Sequence, residues 1–135
     1  MSDEEVVVKS VPGFRVAELT GTAVGFDPEH IGPVVRPLFG RLMDRLTDDG
    51  IEGVGPAVAY YETTPVGGEV VVHAGIPVGP QTRFGQGFAV VDLPEIPRAA
   101  TLVYGGPMDH VLPAWRSLEH WIDANGYRAD GPARE

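Results

Sequence analysis

The chain has 135 residues, enough for one ordinary domain or two small halves sharing a core. Hydrophobic residues make up 43% and charged residues 21%, so a core can form and the composition is not that of a disordered chain. Ten Lys+Arg against 19 Asp+Glu leave a net charge of -9, which repels polyphosphate and argues against direct nucleic-acid binding. The absence of cysteine excludes disulfides, thiolate zinc sites and cysteine nucleophiles, and fits a reducing compartment. The acidic start MSDEE is the opposite of a signal peptide, and no apolar run approaches the roughly 20 residues of a membrane span. A cytoplasmic protein with no membrane association is expected.

The 18 glycines and 13 prolines favour short strands joined by many turns. Val6–Lys9 and Phe14–Thr22 are rich in β-branched residues and flank the turn signal Val11-Pro12-Gly13, so they read as antiparallel strands. Gly25-Phe26-Asp27-Pro28-Glu29 reads as a loop. From Val34 the period changes: Val35, Leu38, Phe39, Leu42 and Leu46 recur at steps of three and four, predicting a helix of about four turns. Pro37 is placed in or near its first turn, and Gly50 at its stop.

Ala57–Glu62 and Glu69–Ile76 read as strands joined by Thr63-Thr64-Pro65-Val66-Gly67-Gly68, a hairpin-like connection. Pro77–Gln86 reads as a loop. Phe88–Leu93 and Ala99–Gly105 read as two further strands, separated by Pro94 and Pro97. A second helix follows, with Val111, Leu112, Trp115, Leu118 and Ile122 on one stripe, Asp109 as its cap and Gly126 as its stop.

A shift of 76 residues superposes the chain on itself. Val35 meets Val111, Pro37 meets Pro113, Phe39 meets Trp115, Leu42 meets Leu118 and Leu46 meets Ile122. Gly50 meets Gly126, and Gly55-Pro56-Ala57 meets Gly131-Pro132-Ala133, in the same register. At a slightly larger shift Arg15-Val16-Ala17-Glu18-Leu19 meets Arg98-Ala99-Ala100-Thr101-Leu102. Apolar stripes coincide readily, but a proline, a glycine stop and a triplet in one register point to a duplicated strand–helix–strand–strand unit. The expected fold class is α+β: one domain over 1–135, built of repeats at about 5–80 and 85–135. Neither half buries a core alone. Paired, they would make a curved antiparallel sheet with two helices and a central cleft for a small ligand.

Several residues carry a family resemblance. They are Leu93-Pro94 leading into a strand, Gly106-Pro107 before the second helix, the Leu118-x-x-Trp121-Ile122 stripe, and Gly126 leading to Gly131-Pro132-x-x-Glu135. More loosely, Ile31, Leu42, Leu46, Gly50-Ile51 and Gly55-Pro56 repeat the pattern in the first half. The chain resembles the GyrI-like small-molecule-binding domain, which also serves AraC-type and MerR-type transcription regulators as their effector-binding domain. The resemblance implies an aromatic-lined site for hydrophobic, often cationic compounds, with a buried glutamate at the position of Glu135. Three departures stand out. Glu135 is the last residue, where the family continues through that strand and one more, so completion of the sheet by another copy is one expectation. Met108 replaces an aromatic, and Tyr104 occupies a histidine-like position. No DNA-binding segment is expected, because the binding domain uses the whole length.

The candidate ligand-binding residues are Glu135, Tyr61, Tyr104, Tyr60, Trp121 and Phe88. A carboxylate among rings recovers its lost hydration by holding a delocalised cation. Adjacent strand residues point to opposite faces, so Tyr60 and Tyr61 cannot both serve one site; the repeat aligns Glu135 with Ala59, whose face Tyr61 shares. Trp115 is expected in the core. His30, His73, His110 and His120 show no metal-binding spacing, and no G-x-S-x-G or phosphate loop occurs, so neither a metal, a cofactor nor a catalytic residue is assigned. The expected function is capture or sensing of a hydrophobic or cationic small molecule, with a homodimer or protein partner left open. The alternative is a hydrolase that opens reactive cyclopropane-bearing compounds with a pocket glutamate, assisted by Glu62, Tyr61 or Tyr104.

Overall fold

β-branched runs bounded by glycine and proline become antiparallel strands: β1 (Val7–Val11), β2 (Phe14–Ala23), β3 (Val58–Thr63), β4 (Val70–Pro77), β5 (Ala89–Leu93), β6 (Ile96–Thr101) and β7 (Ala133–Arg134). The helices are α1 (Pro28–Asp48) and α2 (Leu112–Ala124), giving the expected α+β class. The structure is a computed structural model and describes residues 5–64, 67–83 and 85–135, the side chain of Asp109 excepted. Pro65 and Val66 of the β3–β4 connection, and Phe84 of the loop after β4, lie outside these residues.

The chain divides into two compact units. The larger, Gly13–Pro94 with Pro132–Glu135, carries a five-stranded sheet in the order β5-β2-β4-β3-β7. Helix α1 packs on one face of it, through Ile31, Leu38, Leu42 and Leu46. Under its first half lie Ala23, Ala59, Tyr61, Val70, Val72 and Ala74; under its second half lie Ala17, Ile76 and Val78. The opposite face has its own cluster of Val16, Val58, Tyr60 and Leu93. Gly21 permits the close approach of β2 to the helix, since a Cβ there would meet Val34 Cγ1 at 2.9 Å.

Helix α1 begins earlier than the spacing predicts. Asp27 is its N-cap and Pro28 its first residue, so Pro28-Glu29 of the expected loop are helical, and Pro37 lies well inside rather than in the first turn. Pro28 has the φ a helix start wants. Pro33 and Pro37 each remove one helical hydrogen bond, a cost borne because Ile31 extends the stripe that α1 presses on the sheet. The stop at Gly50 is as expected, with φ of 67°.

The smaller unit, residues up to Pro12 with Glu95–Gly131, contains the β1–β6 ladder and α2, which packs on β6. β6 starts and ends earlier than expected: Pro97 lies inside it and Leu102–Gly105 outside. The ladder shifts register between Lys9 and Val11, so Pro97 falls where a missing N–H does least harm. The cap of α2 is Val111 rather than Asp109, whose backbone belongs to a 3-10 turn over Met108–His110. Gly126, at φ 76°, ends the helix as expected.

Candidate functional site

β3 carries two adjacent tyrosines, and the pleat sends them to opposite faces of the sheet. Tyr61 faces α1, in the cluster with Ala23, Ile31, Leu38 and Ala59, and is 7% exposed. Its neighbour across the strand pair is Ala133 of β7, two residues before Glu135 and so on the same face of the sheet. Glu135 is held there by its main chain: its N–H donates to Ala59 O at 2.6 Å, and its own O accepts from Ala59 N–H at 2.9 Å. The Tyr61 hydroxyl donates to Glu135 Oε1. Glu135 is itself solvent-exposed, so the site is a carboxylate at the surface pinned by a phenol from the core.

Burial, and next the bond to Glu135, push the Tyr61 phenol well above its ordinary 10.0, so it remains a donor at any physiological pH. The ring of Phe26, from the bend between β2 and α1, meets Tyr61 edge-to-face with centroids 6.4 Å apart and planes at 81°. Phe26 is 53% exposed, and Val24 beside it is exposed as well. Sequence reasoning placed Phe26 in a loop and gave it no role.

Tyr60, on the other face, belongs to a second polar group that the sequence did not reveal. Its hydroxyl donates to Glu18 Oε2, and Glu18 is 6% exposed. Glu18 Oε1 lies 3.1 Å from His73 Nδ1, a hydrogen bond when that nitrogen carries the proton. The His73 ring stacks on Tyr60 with centroids 4.1 Å apart, and its Nε2 is 3.4 Å from Glu62 Oε1. Here too burial, then the bond to Glu18, raise the tyrosine pKa above its ordinary value. Parity was the available signal: Glu18, Tyr60, Glu62 and His73 all fall on the face away from α1. Tyr60 and Tyr61 therefore belong to two different groups.

The remaining candidates are dispersed. Phe88 packs beside Ala17, Leu42 and Leu46 under the second half of α1. Tyr104 and Trp121 belong to the smaller unit. Tyr104 donates its hydroxyl to Pro107 O at 2.7 Å, and Trp121 stacks on Tyr127, whose other partner is Arg98. Trp115, expected in the core, is half-buried. Among the described residues, Asp27, Glu29 and His30 bring potential metal-ligating atoms within 4.8 Å of one another at the surface. No described helix is long and apolar enough to cross a membrane.

A family model described as the GyrI-like small molecule binding domain matches residues 4–135. No curated protein matches the chain in sequence. Among solved structures, the C-terminal domain of EcmrR is similar at TM-score 0.73 and 19% identity, over 98% of this chain and 83% of that one. EcmrR in complex with DNA is similar at TM-score 0.71 and 19% identity, over 97% of this chain and 48% of that one. SAV2435 bound to tetraphenylphosphonium is similar at TM-score 0.62 and 10% identity, over 96% of this chain and 79% of that one.

Proposed function

The chain belongs to the GyrI-like family of small-molecule binding domains, and from that premise we propose that it captures hydrophobic cations at Tyr61 and Glu135. One observation carries the reading. A surface carboxylate is fixed to the sheet by two main-chain hydrogen bonds and oriented by the phenol of a buried tyrosine. Loose surface carboxylates lose entropy when they hold a ligand; this one is already ordered. A delocalised cation is cheap to desolvate and gains both the charge and the neighbouring rings. The net charge of -9 favours the approach of cations. The tetraphenylphosphonium held by SAV2435 supports this ligand class.

The reading treats residues 1–135 as one ligand-binding domain of two repeats, at about 5–80 and 85–135, acting by sequestration or by presenting its liganded state to a partner. The test is calorimetric titration of tetraphenylphosphonium and rhodamine 6G into the wild type and Glu135→Gln. A cation near a half-screened carboxylate gains on the order of 1–2 kcal/mol, so Glu135→Gln should weaken both probes about tenfold. Unchanged affinity in Glu135→Gln, or no binding of either probe to the wild type, refutes the reading.

A further inference from the structure

Independently of the ligand reading, we propose that the chain pairs with a second copy of itself along the free edge of β1, antiparallel and in a register centred on Val7. Among the described residues β1 has one ladder neighbour, β6, which leaves its other edge without a strand partner. An open edge is a template for another strand, and folded proteins usually shorten, twist or cover theirs. Here residues 7–10 are all exposed, with Val7 at 48% and Val8 at 39%. Those apolar side chains gain burial from a strand laid beside them.

The residues identify the occupant. Side chains alternate along a strand, so Glu5, Val7 and Lys9 share one face and Val6 and Val8 the other. Glu5 and Lys9 are both exposed, and Lys9 is the only lysine of the chain. With Val7 opposite Val7 of the second copy, Glu5 faces the second copy's Lys9 and Lys9 faces its Glu5. On the other face Val6 meets Val8 twice. Opposite charges directly across a strand pair attract, and like charges repel.

The stripe Glu5-Val7-Lys9 therefore complements itself under a two-fold rotation, which is what a closed dimer requires. Moving the centre to Val8 sets Glu5 against Val11 and Lys9 against Val7, and moving it to Lys9 sets lysine against lysine. A lone lysine ordinarily guards an edge against its own copy; Glu5, four residues away, turns this guard into a match. The net charge of -9 repels two copies at long range, so the attraction has to be local, and Glu5 with Lys9 supplies it.

A pairing this short buries less than a standard interface, so a weak dimer is expected, with a dissociation constant on the order of 0.1 mM. Sedimentation equilibrium from about 0.01 to about 1 mM measures it. Each charge pair occurs twice, so Lys9→Glu and Glu5→Lys should each weaken dimerisation at least about tenfold, and the two substitutions combined should restore it. The chain has no cysteine, so Val7→Cys supplies one thiol per copy at the two-fold axis and should give a disulfide-linked dimer on mild oxidation. In Ser10→Cys the two thiols lie roughly 20 Å apart and should not link. Urea midpoints check that each variant is folded. A wild type that stays monomeric at about 1 mM overturns the proposal. So does a dimer indifferent to the single charge variants, one that the combined variant fails to restore, or linkage of Ser10→Cys as readily as of Val7→Cys.

Discussion

Tyr60 and Tyr61 are neighbours on β3, each donating a phenol to a carboxylate, so replacing each by phenylalanine isolates the effect of the acceptor's surroundings. Glu18 is 6% exposed and has one oxygen on Tyr60 and the other beside His73. Tyr60→Phe leaves Glu18 Oε2 without a donor where water has little access. A lost hydrogen bond to a charged group costs about 1.5–3 kcal/mol, and the stranded acceptor puts this case at the upper end, about 3 kcal/mol. Tyr61→Phe makes the same chemical change, but Glu135 is exposed and water can take the vacated place, so the expected cost is about 1 kcal/mol or less. The ring stacked on His73 is retained in Tyr60→Phe, leaving the hydroxyl as the variable. In urea at pH 7, with an m-value of about 1.5 kcal/mol/M, the midpoints should fall by about 2 M and by less than about 0.7 M respectively. Adding Glu18→Gln to Tyr60→Phe should restore part of the loss, because a neutral amide is less costly to leave unpaired than a carboxylate. Equal costs for the two single variants, or a larger one for Tyr61→Phe, would refute the reasoning.

Two further outcomes follow from the same structure. Both tyrosines have folded-state pKa values raised above 10.0, so the stability they contribute is complete below pH 10 and declines as pH rises beyond it. Urea midpoints from pH 9 to 11.5 should therefore fall less steeply in Tyr61→Phe than in the wild type; an unchanged slope would show that burial does not protect that phenol. Leu42, at 0% exposure, lies in the cluster under the second half of α1, so Leu42→Ala should cost about 2–5 kcal/mol in the same assay, and a loss below about 1 kcal/mol would mean that this core collapses around the gap.

The periodic parts of this protein were legible in its residue pattern. Leu38, Leu42 and Leu46 at helical spacing marked α1, Gly50 and Gly126 ended the helices, and β-branched runs between glycines and prolines marked the strands. Parity alone separated Tyr60 from Tyr61 and put Ala59 on the Tyr61 face. Local pattern reports which side of an element is apolar, because that depends only on the geometry of the element itself. Which strands lie side by side depends on packing across the whole unit, and local pattern is silent on it. The order β5-β2-β4-β3-β7 brings Glu135 against Ala59 and within reach of Tyr61, and sets His73 beside Glu18, 55 residues away in the chain. The start of α1 was hidden for a related reason: Pro33 and Pro37 oppose a helix locally, and the burial of Ile31 against the sheet extends it past them. Phe26 has no period to announce it, and its place beside Tyr61 follows from where the end of β2 and the start of α1 are anchored.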